Sequence, residues 1–122
     1  MTDRSPIIAQ QNDRFRSRLG IPVFGEPAVP GSFVFTAGVS ALPPLVQLDV
    51  WQLVRDYDEF TPGDDPYGEH DFGAFTHPAA GKLFWKIDYY ATGFPRIEQG
   101  SEDPADPART HRVLTVMLAD EY

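Results

Sequence analysis

Hydrophobic positions along the chain fall into short runs of two different periods, separated by stretches dense in proline and glycine. Ile7, Ile8, Phe15 and Leu19 recur at helical spacing behind Ser5-Pro6, a serine suited to an N-cap and a proline suited to a first turn. Gly20 and Pro22 end that pattern, which predicts a helix over 6–19. Residues 20–31 hold three prolines and three glycines and read as a loop. The run SFVFTA at 32–37 alternates Phe33 and Phe35 with smaller residues, as a strand does, and Gly38 is expected to break it. Val46, Val50, Leu53, Val54 and Tyr57 follow at i, i+4, i+7, i+8 and i+11, an amphipathic helix entered through Pro43-Pro44.

Past that helix the pattern changes. Residues 60–68, FTPGDDPYG, are turn formers throughout. The segments 69–76 and 82–91 are rich in β-formers and separated by 77–81, which predicts a hairpin with a five-residue loop. A second proline- and aspartate-rich loop covers 93–108, and THRVLTVMLA at 110–119 reads as a last strand. The order helix, strand, helix, then three strands predicts an α+β fold. Two helices would pack on one face of an antiparallel sheet of about four strands.

Composition narrows the function classes. The chain has 122 residues, 42% of them hydrophobic, consistent with a single domain over 1–122 that can close a core. Cysteine is absent, which excludes disulfides, thiolate zinc sites and a cysteine nucleophile. No window approaches the roughly 20 apolar residues of a membrane span, and the first six residues do not look like a signal peptide, so a cytoplasmic location is expected. Eighteen acids against ten bases give a net charge of −8. Such a field repels nucleic-acid phosphates and favours a basic or nucleic-acid-binding protein partner. The charge is also uneven. Asp56, Asp58, Glu59, Asp64, Asp65, Glu69 and Asp71 lie in a stretch, 56–81, without a single Lys or Arg. These seven acids are the candidate partner-binding residues.

Candidate chemistry centres on DDPYGEHDFG at 64–73. Asp64, Asp65, Glu69, His70 and Asp71 are residue types that hold Mg²⁺ or Mn²⁺ or serve as general acid and base, although their spacing matches no metal motif of known geometry. The structural alternative is a capped turn, with Asp64 and Asp65 closing an Asx turn before Pro66 and His70 hydrogen-bonded across strands. In KLFWKIDYY at 82–90, Leu83, Trp85, Ile87 and Tyr89 should share one face, with Phe84, Lys86, Asp88 and Tyr90 on the other. Pairing Phe75 with Leu83 would set His70 beside Asp88 with Lys86 nearby, which makes His70, Asp88 and Lys86 the candidate catalytic set. His77 and His111 read as surface residues. Phosphate-loop motifs are absent, so no cofactor is expected, with a divalent metal as the open alternative.

Asn12-Asp13 with Phe15-Arg16, the stretch 36–43, DDPYGEHDFG, FWKIDYY and DPADPARTHRVLTVMLADEY together resemble a bacterial family of unknown function. That family is mainly alphaproteobacterial, consists of short single-domain proteins, and is often carried on plasmids and integrated mobile elements. The chain departs from it at Asp64-Asp65, where the family more often has Asn-Asp. The resemblance implies no active site. Its genetic setting, joined to the acidic run, leads to the expectation of an interaction or inhibitor protein directed at restriction, CRISPR or conjugation machinery. The alternative is a small metal-dependent or acid/base hydrolase built on 64–71.

Overall fold

The computed structural model describes residues 3–21, 29–92 and 100–122. Most of the loop predicted over 20–31, and residues 93–99 of the loop predicted over 93–108, lie outside the described residues. Helix α1 spans Ser5–Arg16, followed by strand β1 (Gly31–Phe35), a short helix α2 (Ala37–Ser40) and helix α3 (Pro44–Arg55). Strands β2 (Phe72–His77), β3 (Gly81–Ala91) and β4 (Thr110–Leu118) complete the fold, with a 3-10 turn on either side of β4.

Each long helix follows its sequence signals, but α1 ends at Arg16, with 17–20 a turn rather than the helix end predicted at Leu19, and its N-terminal cap is exchanged. Ser5 lies inside α1, and the carboxylate of Asp3 accepts the Ser5 N–H at 3.0 Å, so Asp3 takes the capping role predicted for Ser5. The buried stripe of α1 is Ile8, Ala9, Asn12, Phe15 and Arg16, an apolar seam interrupted by two polar side chains. In α3, Val50 and Val54 are fully buried, while Leu53, at the margin of the predicted face, is 41% exposed. Helix α2 is not legible in the sequence. It forms where the end of the chain folds back: Glu121 accepts the Thr36 hydroxyl at 2.6 Å and the Gly38 and Leu118 N–H groups at 2.9 Å each. These bonds, that from Thr36 foremost, hold the Glu121 carboxyl below the ordinary glutamate range.

The four strands form one mixed sheet in the order β1-β4-β3-β2. β2–β3 and β3–β4 are antiparallel, whereas β1 runs parallel to β4. The sheet is therefore mostly, not wholly, antiparallel. β1 reaches its place only through β4, the last strand of the chain, so no hairpin constrains its direction. The hairpin register is the one expected, with Phe75 opposite Leu83. Its turn is tighter than expected, because His77 pairs with Gly81 and only three residues intervene. Gly81 takes φ +78, the left-handed conformation that such a turn needs.

One sheet face carries Phe33, Phe35, Leu83, Trp85, Ile87, Leu114 and Val116 against Phe15 and Leu19 of the α1 segment and Val50 and Val54 of α3. Gly73 lies under Trp85 and Tyr57, where any Cβ would collide with both rings. The opposite face holds Phe72 and Phe84 edge-on to Tyr122. No described helix is long and apolar enough to cross a membrane.

Candidate functional site

The polar residues of α1 organise everything at the 60–71 loop. Arg16, almost wholly buried, donates from Nη1 to the carbonyls of Val54 at 2.6 Å and Arg55 at 3.0 Å, capping the C-terminus of α3. Arg55 returns the bond, donating to the Leu19 carbonyl at 2.6 Å, so each helix segment ends on the other's arginine. The Arg16 guanidinium lies 5.0 Å from the Trp85 ring centre and 5.6 Å from that of Phe60. Burial lowers its pKa from the ordinary arginine value, and Asp13 at 3.0 Å opposes that shift. Arginine still stays charged.

Asp13 also accepts from the Nδ1–H of His70, 3.0 Å from each carboxylate oxygen. His70 stacks flat on Phe60, ring centres 3.8 Å apart, and its Nε2 lies 4.0 Å from Asp65. The buried Asp65 carboxylate accepts the N–H of Glu69 at 3.0 Å and of His70 at 3.2 Å. His70 itself has φ +57, a left-handed conformation tolerated because its ring and N–H are both held. Together these bonds lock the loop onto α1.

Beside this clasp, Asn12 is fully buried and joins three elements. Its amide donates to the Glu69 carbonyl at 2.9 Å and to the Tyr89 hydroxyl at 2.8 Å, and its oxygen accepts from Arg112 Nε at 2.6 Å. Tyr89 donates in turn to the Glu69 carboxylate at 2.9 Å. Burial raises the Tyr89 phenol well above the ordinary tyrosine range. Arg112, also fully buried, donates to Gln11 at 2.9 Å and to the Pro104 carbonyl at 2.7 Å. Sequence reasoning missed Asn12, Asp13, Tyr89 and Arg112 as members of one network. The available signal was the polar intrusion of Asn12 and Arg16 at i and i+4 into the apolar seam of α1.

The predicted His70–Asp88–Lys86 set is not assembled. The register is right, but the left-handed backbone at His70 breaks strand alternation and turns its ring towards α1. Lys86 and Asp88 remain on the opposite sheet face and pair with each other at 3.1 Å. Asp64 is exposed, its N–H donating to the Thr61 hydroxyl at 3.3 Å. Among the described residues no three His, Asp or Glu side chains are placed to hold a metal ion together. His77 is buried rather than a surface residue: its Nε2–H donates to Asp49 at 3.1 Å and its Nδ1 accepts the Ala79 N–H at 3.0 Å.

Asp71 is the carboxyl of this segment that the fold disfavours in its charged form. Its carboxyl is raised above the ordinary aspartate range, first by burial and then by Glu69. A raised acid favours the fold while protonated, and that contribution is lost as pH rises through its folded pKa. Asp71→Asn is therefore expected to raise the melting temperature at neutral pH and to leave it unchanged below the ordinary aspartate range. Identical melting curves at neutral pH would count against the assignment.

The remaining acids face a different feature. Asp56, Asp58 and Glu59 are exposed and line a groove of about 310 Å³ between α3 and β2, with Leu53 and Phe75 as its apolar wall. A second hollow of about 250 Å³ adjoins it, shares Leu53 and Asp56, and reaches Asp49 and His77.

Over residues 35–121 the sequence matches the family described as "Protein of unknown function (DUF3768)". The chain belongs to the DUF3768 family. The match takes in the groove, the 60–71 loop, Tyr89 and Arg112, whereas the DUF3768 stretch begins after Asn12, Asp13 and Arg16. No curated protein and no solved structure matches this DUF3768 chain.

Proposed function

We propose that this DUF3768 protein acts by binding, and that its acidic surface engages a basic, nucleic-acid-binding protein partner. The observation that carries the reading is the groove between α3 and β2, rimmed by Asp56, Asp58 and Glu59 in a stretch without Lys or Arg. Complementary charge of this kind speeds association and makes it salt-sensitive. A second observation bears on the hydrolase alternative: Lys86 and Asp88 pair with each other on the sheet face away from His70. The His70 Nδ1–H is already bonded to Asp13, and Asp65 is spent on two loop N–H groups. The bond to Asp13 leaves Nε2 as the nitrogen of His70 that could serve as a base, and Nε2 lies 4.0 Å from the Asp65 carboxylate. The resemblance to a family carried on mobile elements makes restriction, CRISPR and conjugation proteins the first partners to try.

One observation favours the hydrolase reading, the raised carboxyl of Asp71 beside Glu69 and Tyr89. The two readings separate in one set of titrations. The protein is titrated by calorimetry against basic nucleic-acid-binding domains at low and high salt, with acidic domains of similar size as controls. Binding to basic domains that weakens with salt is expected. Absence of binding to every basic domain at low salt would sink the binding reading and move esterase, phosphatase and nuclease screens of the unmodified protein, with Asp71→Asn as the control, to the front.

A further inference from the structure

β2 is an edge strand of the sheet, and among the described residues no strand pairs with its outer side. The Ala74 N–H points outward, since it donates to the Tyr57 hydroxyl at 3.3 Å. Antiparallel alternation then turns the N–H and C=O of Thr76 outward as well. Thr76 is exposed and lines the groove with Leu53 and Asp56, its side chain on the face of the sheet away from α3; Asp49, at i with Leu53 at i+4 and Asp56 at i+7, lines the adjoining hollow. An unpaired edge next to an acid-rimmed, partly apolar hollow offers both main-chain hydrogen bonds and charge recognition.

We infer that the C-terminal half of β2 receives a short extended segment of the partner, basic on alternate positions, as an added strand centred on Thr76. The inference rests on the binding reading above and specifies its place and mode. Side chains of such a guest that share one face recur about 7 Å apart. Two Lys or Arg side chains on the face towards α3 would lie in the two hollows on either side of Leu53. Their aliphatic stems would cover Leu53 and Phe75, and their charged ends would meet Asp56 with Asp58 and Glu59 on one side and Asp49 on the other. A long strand does not fit, because the Tyr57 hydroxyl already holds the Ala74 N–H and closes the edge beyond it. The site therefore selects a short motif, by charge at alternate positions and by an unblocked backbone.

The test uses the full chain and a synthetic peptide alternating Lys or Arg with Val, titrated by amide-resolved NMR. A matched peptide N-methylated at its central amides keeps the charge and loses the donors. Binding of the plain peptide with slowed hydrogen exchange at the Thr76 amide is expected. The N-methylated peptide and the Asp56→Lys/Asp58→Lys variant should each bind at least about tenfold more weakly. Thr76→Pro should remain folded, since an outward N–H on an edge strand tolerates proline, and should lose the peptide. Equal binding of both peptides, or shifts centred away from Thr76, would overturn the docking mode. If basic domains still bind in that case, the broader reading stands alone. If neither peptide nor basic domain binds at low salt, both fall.

Discussion

Asn12→Ala is expected to lower the unfolding free energy by about 3 kcal/mol or more, with little change in the denaturant slope. The substitution removes one side chain and strands several groups. Arg112 Nε, a charged donor in a fully buried side chain, loses its 2.6 Å acceptor, and the Glu69 carbonyl and Tyr89 hydroxyl lose a donor each. The Arg112 guanidinium, with its Nε left unpaired, carries the largest share. Asn12→Asp separates charge from shape. A carboxylate keeps the bond to Arg112 but cannot donate to Glu69 or Tyr89, and it adds a negative charge beside Glu69. Urea unfolding followed by tryptophan fluorescence measures both variants. A loss for Asn12→Ala below about 1 kcal/mol, the scale of one ordinary hydrogen bond, would show that the hub is not cooperative.

Trp85→Ala is expected to cost about 3–5 kcal/mol, the range for removing a fully buried large aromatic. Trp85 stands edge-on to Tyr57 at 5.5 Å and to Phe60 at 6.1 Å, beneath the Arg16 guanidinium and above Gly73. Its loss opens a cavity where α1, α3, the 60–71 loop and the sheet all meet. Trp85→Phe should retain most of the stability. The indole N–H is buried without a partner among the described residues, so the phenylalanine forfeits volume and not a hydrogen bond. A Trp85→Phe loss as large as that of Trp85→Ala would point to an unseen partner of the indole. Tyr57 also bounds the α3–β2 groove, so peptide binding should weaken in Trp85→Ala beyond what its stability loss explains.

The candidate site was legible in its parts and not in its grouping. Asp56, Asp58 and Glu59 stood out because charge composition is local, and they are exposed as a charge run should be. The densest titratable segment, 64–71, misled for the same reason. Proximity in sequence suggested that its side chains converge. In the fold Asp65 turns inward to its own loop, His70 turns to α1, and Asp64 faces water. His77 was misjudged because a turn residue is ordinarily exposed, while here Asp49 of α3 reaches across to it.

By itself the sequence determined what depends on neighbours a few residues apart. Periodicity placed α1, α3 and all four strands, and the turn between the two β-rich segments was compatible with the β2–β3 register that the structure shows. Composition set the acidic balance of the 56–81 stretch. Only the tertiary structure decided the parallel seat of β1 beside β4, the helix α2 capped by Glu121, and the Asn12–Arg112 hub, whose partners are 100 residues apart. It alone joined Thr76 to Asp56 across a groove. The physical reason is common to all four. A long-range pair leaves no period in the chain, and its energy depends on desolvation and geometry that exist only once the core has closed.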